Sequence, residues 1–126
     1  MFQFILIIAI FSLSNLSIAK SKDWANAIYS NVRLTKTEGD LIGWRLQIIH
    51  SNKRNYILLQ QFEGEPLAPC LVEAKIQTNI IKFKLPDNCA SNGIIFGKIR
   101  DGKILLIFPS GEKKGVEEME TLLLIN

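Results

Sequence analysis

The chain has 126 residues, of which 48% are hydrophobic, and its 15 Lys and Arg outnumber its 12 Asp and Glu to give a formal net charge of +3. This charge is small and both signs are interspersed, whereas a nucleic-acid-binding protein is expected to carry a concentrated basic stripe. The length suits one domain with its own hydrophobic core. We therefore expect neither a second domain nor a nucleic-acid partner.

The amino-terminal segment is predicted to be a secretory signal peptide. Residues 4–13 (FILIIAIFSL) are apolar, uncharged and too short to span a bilayer, and small residues follow at Ser17 and Ala19. Cleavage after Ala19 divides the chain into a signal peptide, 1–19, and a mature domain, 20–126. Because no Lys or Arg precedes the apolar run, an uncleaved membrane anchor is the alternative. The expected location is periplasmic or secreted, with no membrane span in the mature form.

The rest of the chain alternates between apolar and polar residues in short runs that end at turn signals. Strands are predicted at residues 27–36, 41–50, 56–62, 70–77, 80–85, 94–100, 103–108 and 117–125. Between them lie the turn sequences TEGD, SNKRN, EGEP, QTN and RDGK. Eight sequential strands with short turns predict an all-β antiparallel meander that closes into a small barrel, with a flattened sandwich as the alternative.

The final predicted strand has a second interpretation. Val116, Met119, Leu122 and Leu123 also fit the spacing of an amphipathic helix. The apolar run LLLI at the end of the chain favours a strand packed on both sides.

The two cysteines stand at the two ends of a predicted hairpin. Strands 70–77 and 80–85 flank a turn near Thr78, so antiparallel pairing returns Cys70 to the neighbourhood of Cys89. In an exported protein this proximity predicts a disulfide. A metal pair would need further ligands, and a redox motif would need another spacing.

Period-2 alternation also predicts which side chains fill the barrel. The candidates for its interior are Trp44, Leu46, Ile48, Phe83, Phe96 and Phe108. An eight-stranded barrel is just wide enough for such side chains to fill it.

Catalytic candidates are few. His50 is the only histidine and lies at a strand end, where surface placement is usual. Glu63 and Glu65 flank a glycine before a proline, which is ordinary turn chemistry. We expect no catalytic residue, no metal site and no cofactor.

Two polar loops carry cations and are candidates for contact with a partner. One is SNKRN and the other is PSGEKKG, and the candidate residues in them are Lys53, Arg54, Ser110, Gly111, Lys113 and Lys114. The alternative interpretation is two solvated turns.

Four motifs occur in order along about residues 38–108: GDLIGWRLQII, YILLQQFEGEPLAPCLVEAKI, IIKFKLP and GIIFGKIRDGKI. They resemble small bacterial periplasmic proteins of unknown function that have a lipocalin-like or avidin-like meander barrel. The residues that carry the resemblance are Glu63, Gly64, Pro66, Gly93, Phe96, Gly97, Ile99, Asp101 and Gly102. These are turn and core residues, so the resemblance implies a fold and a compartment and names no activity.

A looser resemblance connects the loop at Ser110 and Gly111 with periplasmic lysozyme inhibitors, which are small disulfide-bonded barrels. The aromatic residue expected after this pair is absent, and Lys113 and Lys114 stand there instead. No inhibitory residue is therefore carried over.

The expected function is a non-enzymatic, exported binding module. It would contact a protein or a cell-envelope polymer through its exposed loops, in the manner of an inhibitor. The alternative is a lipocalin-like carrier that holds a small apolar ligand inside the barrel. The large predicted interior side chains favour the first function.

Overall fold

The computed structural model describes residues 26–89, 93–109 and 118–125. In this part of the chain, nine strands form one antiparallel sheet. Their bounds are β1 (Ile28–Ser30), β2 (Arg33–Leu34), β3 (Leu41–Ser51), β4 (Arg54–Gly64), β5 (Cys70–Gln77), β6 (Ile80–Leu85), β7 (Gly93–Arg100), β8 (Lys103–Phe108) and β9 (Glu118–Leu124). The all-β prediction is confirmed, and most strands lie where the alternation placed them.

Strand β1 closes the sheet into a barrel. Strands β3 to β9 each pair with the next strand in the chain, and β1 pairs with β9 on one side and with β3 on the other. The ring therefore has eight strands, and β2 pairs only with β3. Closure removes the free sheet edges that would otherwise pair with other chains. The predicted meander barrel is confirmed over the flattened sandwich.

Short turns join many of the strands, because residues that accept a positive φ stand at the turn positions. Asn52 and Asp101 each have a φ of 52°, and Gly102 follows with 73°; Thr78 adopts 57° although its β-branched side chain disfavours this region. An Asp-Gly pair is the preferred sequence of a two-residue hairpin turn. The final segment is also a strand, which pairs with β8 along nearly all of its length, so the helical alternative is wrong.

The single strand predicted over 27–36 is two strands. Both β1 and β2 pair antiparallel with β3, but the ladder is interrupted between them. At this point the Trp44 N–H donates a 2.7 Å hydrogen bond to the side-chain Oδ1 of Asn31. Gly43 beside it has a φ of 123°, which a residue with a side chain rarely adopts. The polar side chain therefore takes the place of a backbone acceptor and ends the first strand.

The core is the inside of the barrel, where the inward side chains of the ring strands are buried. They are Ala27, Tyr29, Trp44, Leu46, Ile48, Ile57, Leu59, Ala74, Ile81, Phe83, Leu85, Ile95, Ile104, Leu106, Phe108 and Leu122. Burial raises the pKa of Tyr29, so its phenol stays protonated in the folded protein. Five of the predicted interior residues, all except Phe96, lie in this core.

Phe96 lies outside the barrel, and its predicted interior position is wrong. Its side chain is 43% exposed, whereas Ile95 is fully buried. Strand alternation therefore turns the buried Gly97 inward. A Cβ atom at Gly97 would lie 3.0 Å from Ile104 Cδ1 and 3.2 Å from Leu106 Cδ2. The interior has no room for a side chain at Gly97, and the alternation that buries Ile95 and Gly97 leaves the aromatic ring of Phe96 on the outer face.

Large side chains meet across the interior. The rings of Trp44 on β3 and Phe108 on β8 stack with their centroids 4.7 Å apart and their planes at 30°. Beside Trp44 a cavity of about 10 Å³ remains, lined also by Leu59, Gln61, Ala68, Cys70, Leu85 and Cys89. That volume is at the lower limit for one water molecule. This region is packed by side chains.

The predicted disulfide is confirmed. Cys70 and Cys89 are bonded, with their Cα atoms 6.1 Å apart. The ladder between β5 and β6 runs from the turn only as far as Ala74 opposite Phe83. The disulfide therefore joins the hairpin beyond the point where its two strands separate.

Candidate functional site

The first predicted basic tip is the turn between β3 and β4. Lys53 and Arg54 are exposed there and line a shallow depression of about 570 Å³. The other predicted tip, with Ser110, Gly111, Lys113 and Lys114, lies outside the described residues. The strands that flank it end at Phe108 and begin at Glu118, at the opposite end of the barrel from Arg54.

The single histidine lies at the same rim as Lys53. His50 is exposed, and its Nδ1 lies 2.6 Å from the side-chain Oδ1 of Asn55, its partner across the strand pair. The two turn glutamates are exposed as well: the Glu63 N–H donates to the Glu65 carbonyl at 3.0 Å. These contacts are those of a strand end and of a turn.

A second basic surface lies on the outer wall of the barrel, where the sequence interpretation assigned no site. Lys75 on β5 stands directly opposite Lys82 on β6, and Lys84 follows on the same outer side. Lys98 continues the set on β7, opposite Ile80. We call this surface the lysine face, and its members are Lys75, Ile80, Lys82, Lys84, Ile94, Phe96 and Lys98.

A depression forms on the lysine face because β5 and β6 separate. Beyond the Ala74–Phe83 pair, in the direction away from the hairpin turn, β5 pairs only with β4 and β6 pairs only with β7. The space that opens measures about 370 Å³ and is lined by Glu73, Ala74, Lys75, Lys82, Phe83, Lys84 and Ile94. Three ammonium groups and one carboxylate thus surround a partly apolar floor.

Apolar side chains alternate with the lysines on this face. Ile80, Ile94 and Phe96 are 43%, 45% and 43% exposed. Phe96 lies directly opposite Lys82, whose Nζ is 5.7 Å from the centroid of the ring, within the range of a cation–π contact. The face can therefore contact both an anion and an apolar group.

The lysines of this face make no ion pair with a described residue, although Glu73 lines the same depression. Among the described residues, no carboxylate lies within ion-pair distance of Lys75, Lys82 or Lys84, and the one ion pair joins the exposed side chains of Arg100 and Asp101 at 3.5 Å. Like charges directly opposite each other destabilise a strand pair, by about 0.2–1 kcal/mol. The Lys75–Lys82 pair thus has a small folding cost that no described ion pair offsets.

The sequence carried a signal for this site. Once the hairpin turn is placed at Thr78, counting outward sets Lys75 opposite Lys82 in the register that the structure shows. Alternation around Phe83, a predicted interior residue, also turns Lys82 and Lys84 outward. Phe96 could not be added to them, since its apolar character favoured the interior until the tight contacts at Gly97 were known.

In residues 26–89, 93–109 and 118–125, no group of three or more His, Cys, Asp or Glu side chains is arranged to hold a metal ion. The same ranges contain no helix that is long and apolar enough to cross a bilayer. Comparison of the chain with protein-family models, with curated proteins and with solved structures found no match. The closed barrel is the fold that the sequence resemblance implied, while kinship with periplasmic proteins stays a prediction.

Proposed function

We propose that this protein is an exported, non-enzymatic binding module that contacts an anionic protein or cell-envelope partner with its outer surface. The observation that carries the proposal is the lysine face, where lysines that form no ion pair with a described residue stand beside exposed apolar side chains. The disulfide supports export, because such bonds persist in oxidising compartments. The predicted signal peptide, 1–19, lies outside the described residues and remains part of the proposal.

The packing of the interior favours outer-surface binding over the alternative, a carrier of a small apolar ligand. Drug-sized ligands occupy pockets of roughly 300–1,000 Å³. The cavity beside Trp44 and the disulfide measures about 10 Å³, and the Trp44–Phe108 stack crosses the barrel next to it. No observation on the described interior favours the carrier.

Two surfaces are available for the partner, and they can be tested with matched variants. Lys75→Gln with Lys82→Gln changes the lysine face, and Lys53→Gln with Arg54→Gln changes the loop tip predicted from sequence. Each variant removes two positive charges at exposed positions, so both variant proteins should fold as the wild type does. The two variants lie close together, because β4 pairs with β5 and Asn55, next to Arg54, stands opposite Ala74, next to Lys75. A charge control on the far side of the barrel is Lys36→Gln with Arg45→Gln, because both residues are exposed and β3, which carries Arg45, lies across the barrel from β7.

The experiment is a pull-down from an exported fraction with the mature protein as bait, followed by association rates against ionic strength. We expect the lysine-face variant to associate more slowly at low salt, with the difference fading as salt screens the charges. An unchanged rate in both variants would contradict binding through either surface. A ligand extracted from the purified wild-type protein would favour the carrier instead.

A further inference from the structure

We propose that the lysine face docks on an anionic lipid surface, with Phe96 and Ile94 entering the headgroup region and the lysines binding lipid phosphates. The inference rests on the proposed function and names the class of partner for the same surface.

The composition of the face suits a lipid surface better than a protein partner. Lys is depleted in protein–protein interfaces, and their centres exclude charged residues. On the lysine face the cations surround the apolar residues: Lys82 stands opposite Phe96, Lys84 opposite Ile94 and Lys98 opposite Ile80. Membrane-surface segments combine Lys with Phe and Leu in this way, because the aliphatic stem of lysine lies along apolar atoms while its ammonium group reaches the phosphates.

The exposed apolar surface continues beyond the lysine face in the same register. Across the sheet from Phe96 lies Ile107 on β8, and opposite Ile107 lies Met119 on β9, which is 59% exposed. Leu123 lies four residues after Met119 on the same outer side of β9. It is 51% exposed and stands opposite Lys103. An apolar and basic surface thus extends over neighbouring strands, as broad contact with a lipid surface requires.

The charge of the face also matches an anionic headgroup layer. The Lys75–Lys82 pair is unfavourable in the folded protein, since like charges stand directly opposite each other. Phosphates between the two ammonium groups would reverse the sign of this interaction. Each lysine near an anionic membrane contributes roughly a fivefold gain in binding, so loss of the pair should weaken partitioning about 30-fold.

The first experiment measures partitioning of the mature protein onto vesicles by co-sedimentation at low salt. Size-matched vesicles of phosphatidylcholine alone and of phosphatidylcholine with phosphatidylglycerol are compared for wild type, Lys75→Gln with Lys82→Gln, and the far-side control Lys36→Gln with Arg45→Gln. We expect binding to the phosphatidylglycerol vesicles only, with the large loss confined to the lysine-face variant. Equal losses in both variants would overturn the proposal, because they would indicate an effect of net charge alone.

The second experiment tests whether Phe96 enters the lipid layer. In the variant Phe96→Trp, phosphatidylglycerol vesicles with brominated acyl chains should quench tryptophan emission more than in wild type. The wild type is the matched control, since it contains both native tryptophans, of which Trp44 is buried in the barrel. Quenching no greater than in wild type would overturn the insertion of Phe96.

The proposed binding function and the proposed lipid partner can be contradicted by different results. A wild type that does not bind phosphatidylglycerol vesicles would overturn the lipid inference. If the same protein still captured a partner that the lysine-face variant failed to capture, the proposed binding function would stand and the partner would be an acidic protein or polymer.

Discussion

At the scale of single residues, the contact between Asn31 and Gly43 determines how the barrel closes. A Cβ atom at Gly43 would lie 2.7 Å from Asn31 Oδ1 and 2.8 Å from its carbonyl oxygen. Both distances are below those that real Cβ atoms show. The close approach allows the Asn31 side chain to bond β3 on one side and β9 on the other.

Gly43→Ala is therefore expected to destabilise the protein by about 3 kcal/mol or more, through backbone strain combined with steric overlap. Gly102→Ala is the control: its φ is also positive, at 73°, but nothing lies within 4 Å of a Cβ atom there. It should cost only about 1 kcal/mol. Urea unfolding measures both values, and equal costs would show that the overlap at Gly43 is relieved.

The side chain of Asn31 provides a second prediction. It accepts the Trp44 N–H at 2.7 Å and donates to Glu120 Oε2 at 3.0 Å in a partly buried position. Asn31→Ala leaves a backbone donor without its partner, so we expect a loss of about 1–3 kcal/mol of unfolding free energy. Asn88→Ala, at an exposed asparagine, should change stability by less than about 0.5 kcal/mol. A similar small change at Asn31 would mean that water replaces both bonds.

At the scale of elements, the hairpin of β5 and β6 depends on a covalent bond for part of its length. The ladder ends at Ala74 and Phe83, and Cys70 and Cys89 join the segments beyond it. The lysine-face depression opens in this same stretch. The disulfide therefore holds together the two strands that border the candidate site.

Replacement of both Cys70 and Cys89 by Ser should lower the unfolding free energy by about 3 kcal/mol, because the bond closes a loop with a sequence separation of 19 and its loss returns conformational entropy to the unfolded chain. Denaturant midpoints of wild type and variant measure the loss, and a thiol titration of the unreduced, denatured wild type should detect no free thiol. Reduction of the wild type should reproduce the effect of the substitutions. Full stability after reduction would contradict a role for the bond.

At the scale of the whole molecule, the eight strands of the barrel differ in the length of the ladders that pair them with their neighbours. The β3–β4 pair extends over the full length of both strands, from Leu41 opposite Gly64 to Ser51 opposite Arg54. By contrast, β1 closes the ring with a few residues, of which Tyr29 is the buried one. Local opening should therefore begin where β1 joins the barrel.

Hydrogen exchange measures this difference. Amides in the middle of β4, such as those of Ile57 and Leu59, should exchange only through global unfolding, while those of β1 should exchange through a smaller opening at lower free energy. Mild denaturant should accelerate exchange in β4 more steeply than in β1. The same exchange free energy in both strands would mean that β1 leaves the barrel only when the whole protein unfolds.

The export of the chain makes a further prediction at this scale. Removal of residues 1–19 should leave a protein that begins at Lys20, because the apolar run is of signal length and small residues precede the cut. Intact-mass measurement of the exported protein decides the point. A mass that includes Met1 would instead support the uncleaved anchor.

The sequence by itself determined the strands, the turns and the disulfide of this protein, since these depend on alternation, turn residues and register counted over short distances. Tertiary structure alone decided three features. Asn31 splits the first predicted strand because Gly43, distant in sequence, allows its close approach. Phe96 lies outside because Ile104 and Leu106 fill the space that its strand faces. The lysine face spans β5 to β7, so its breadth emerges only when several hairpins pack side by side. Local patterns specify local pairing, whereas the inward or outward position of a large apolar residue depends on which side chains already occupy the core.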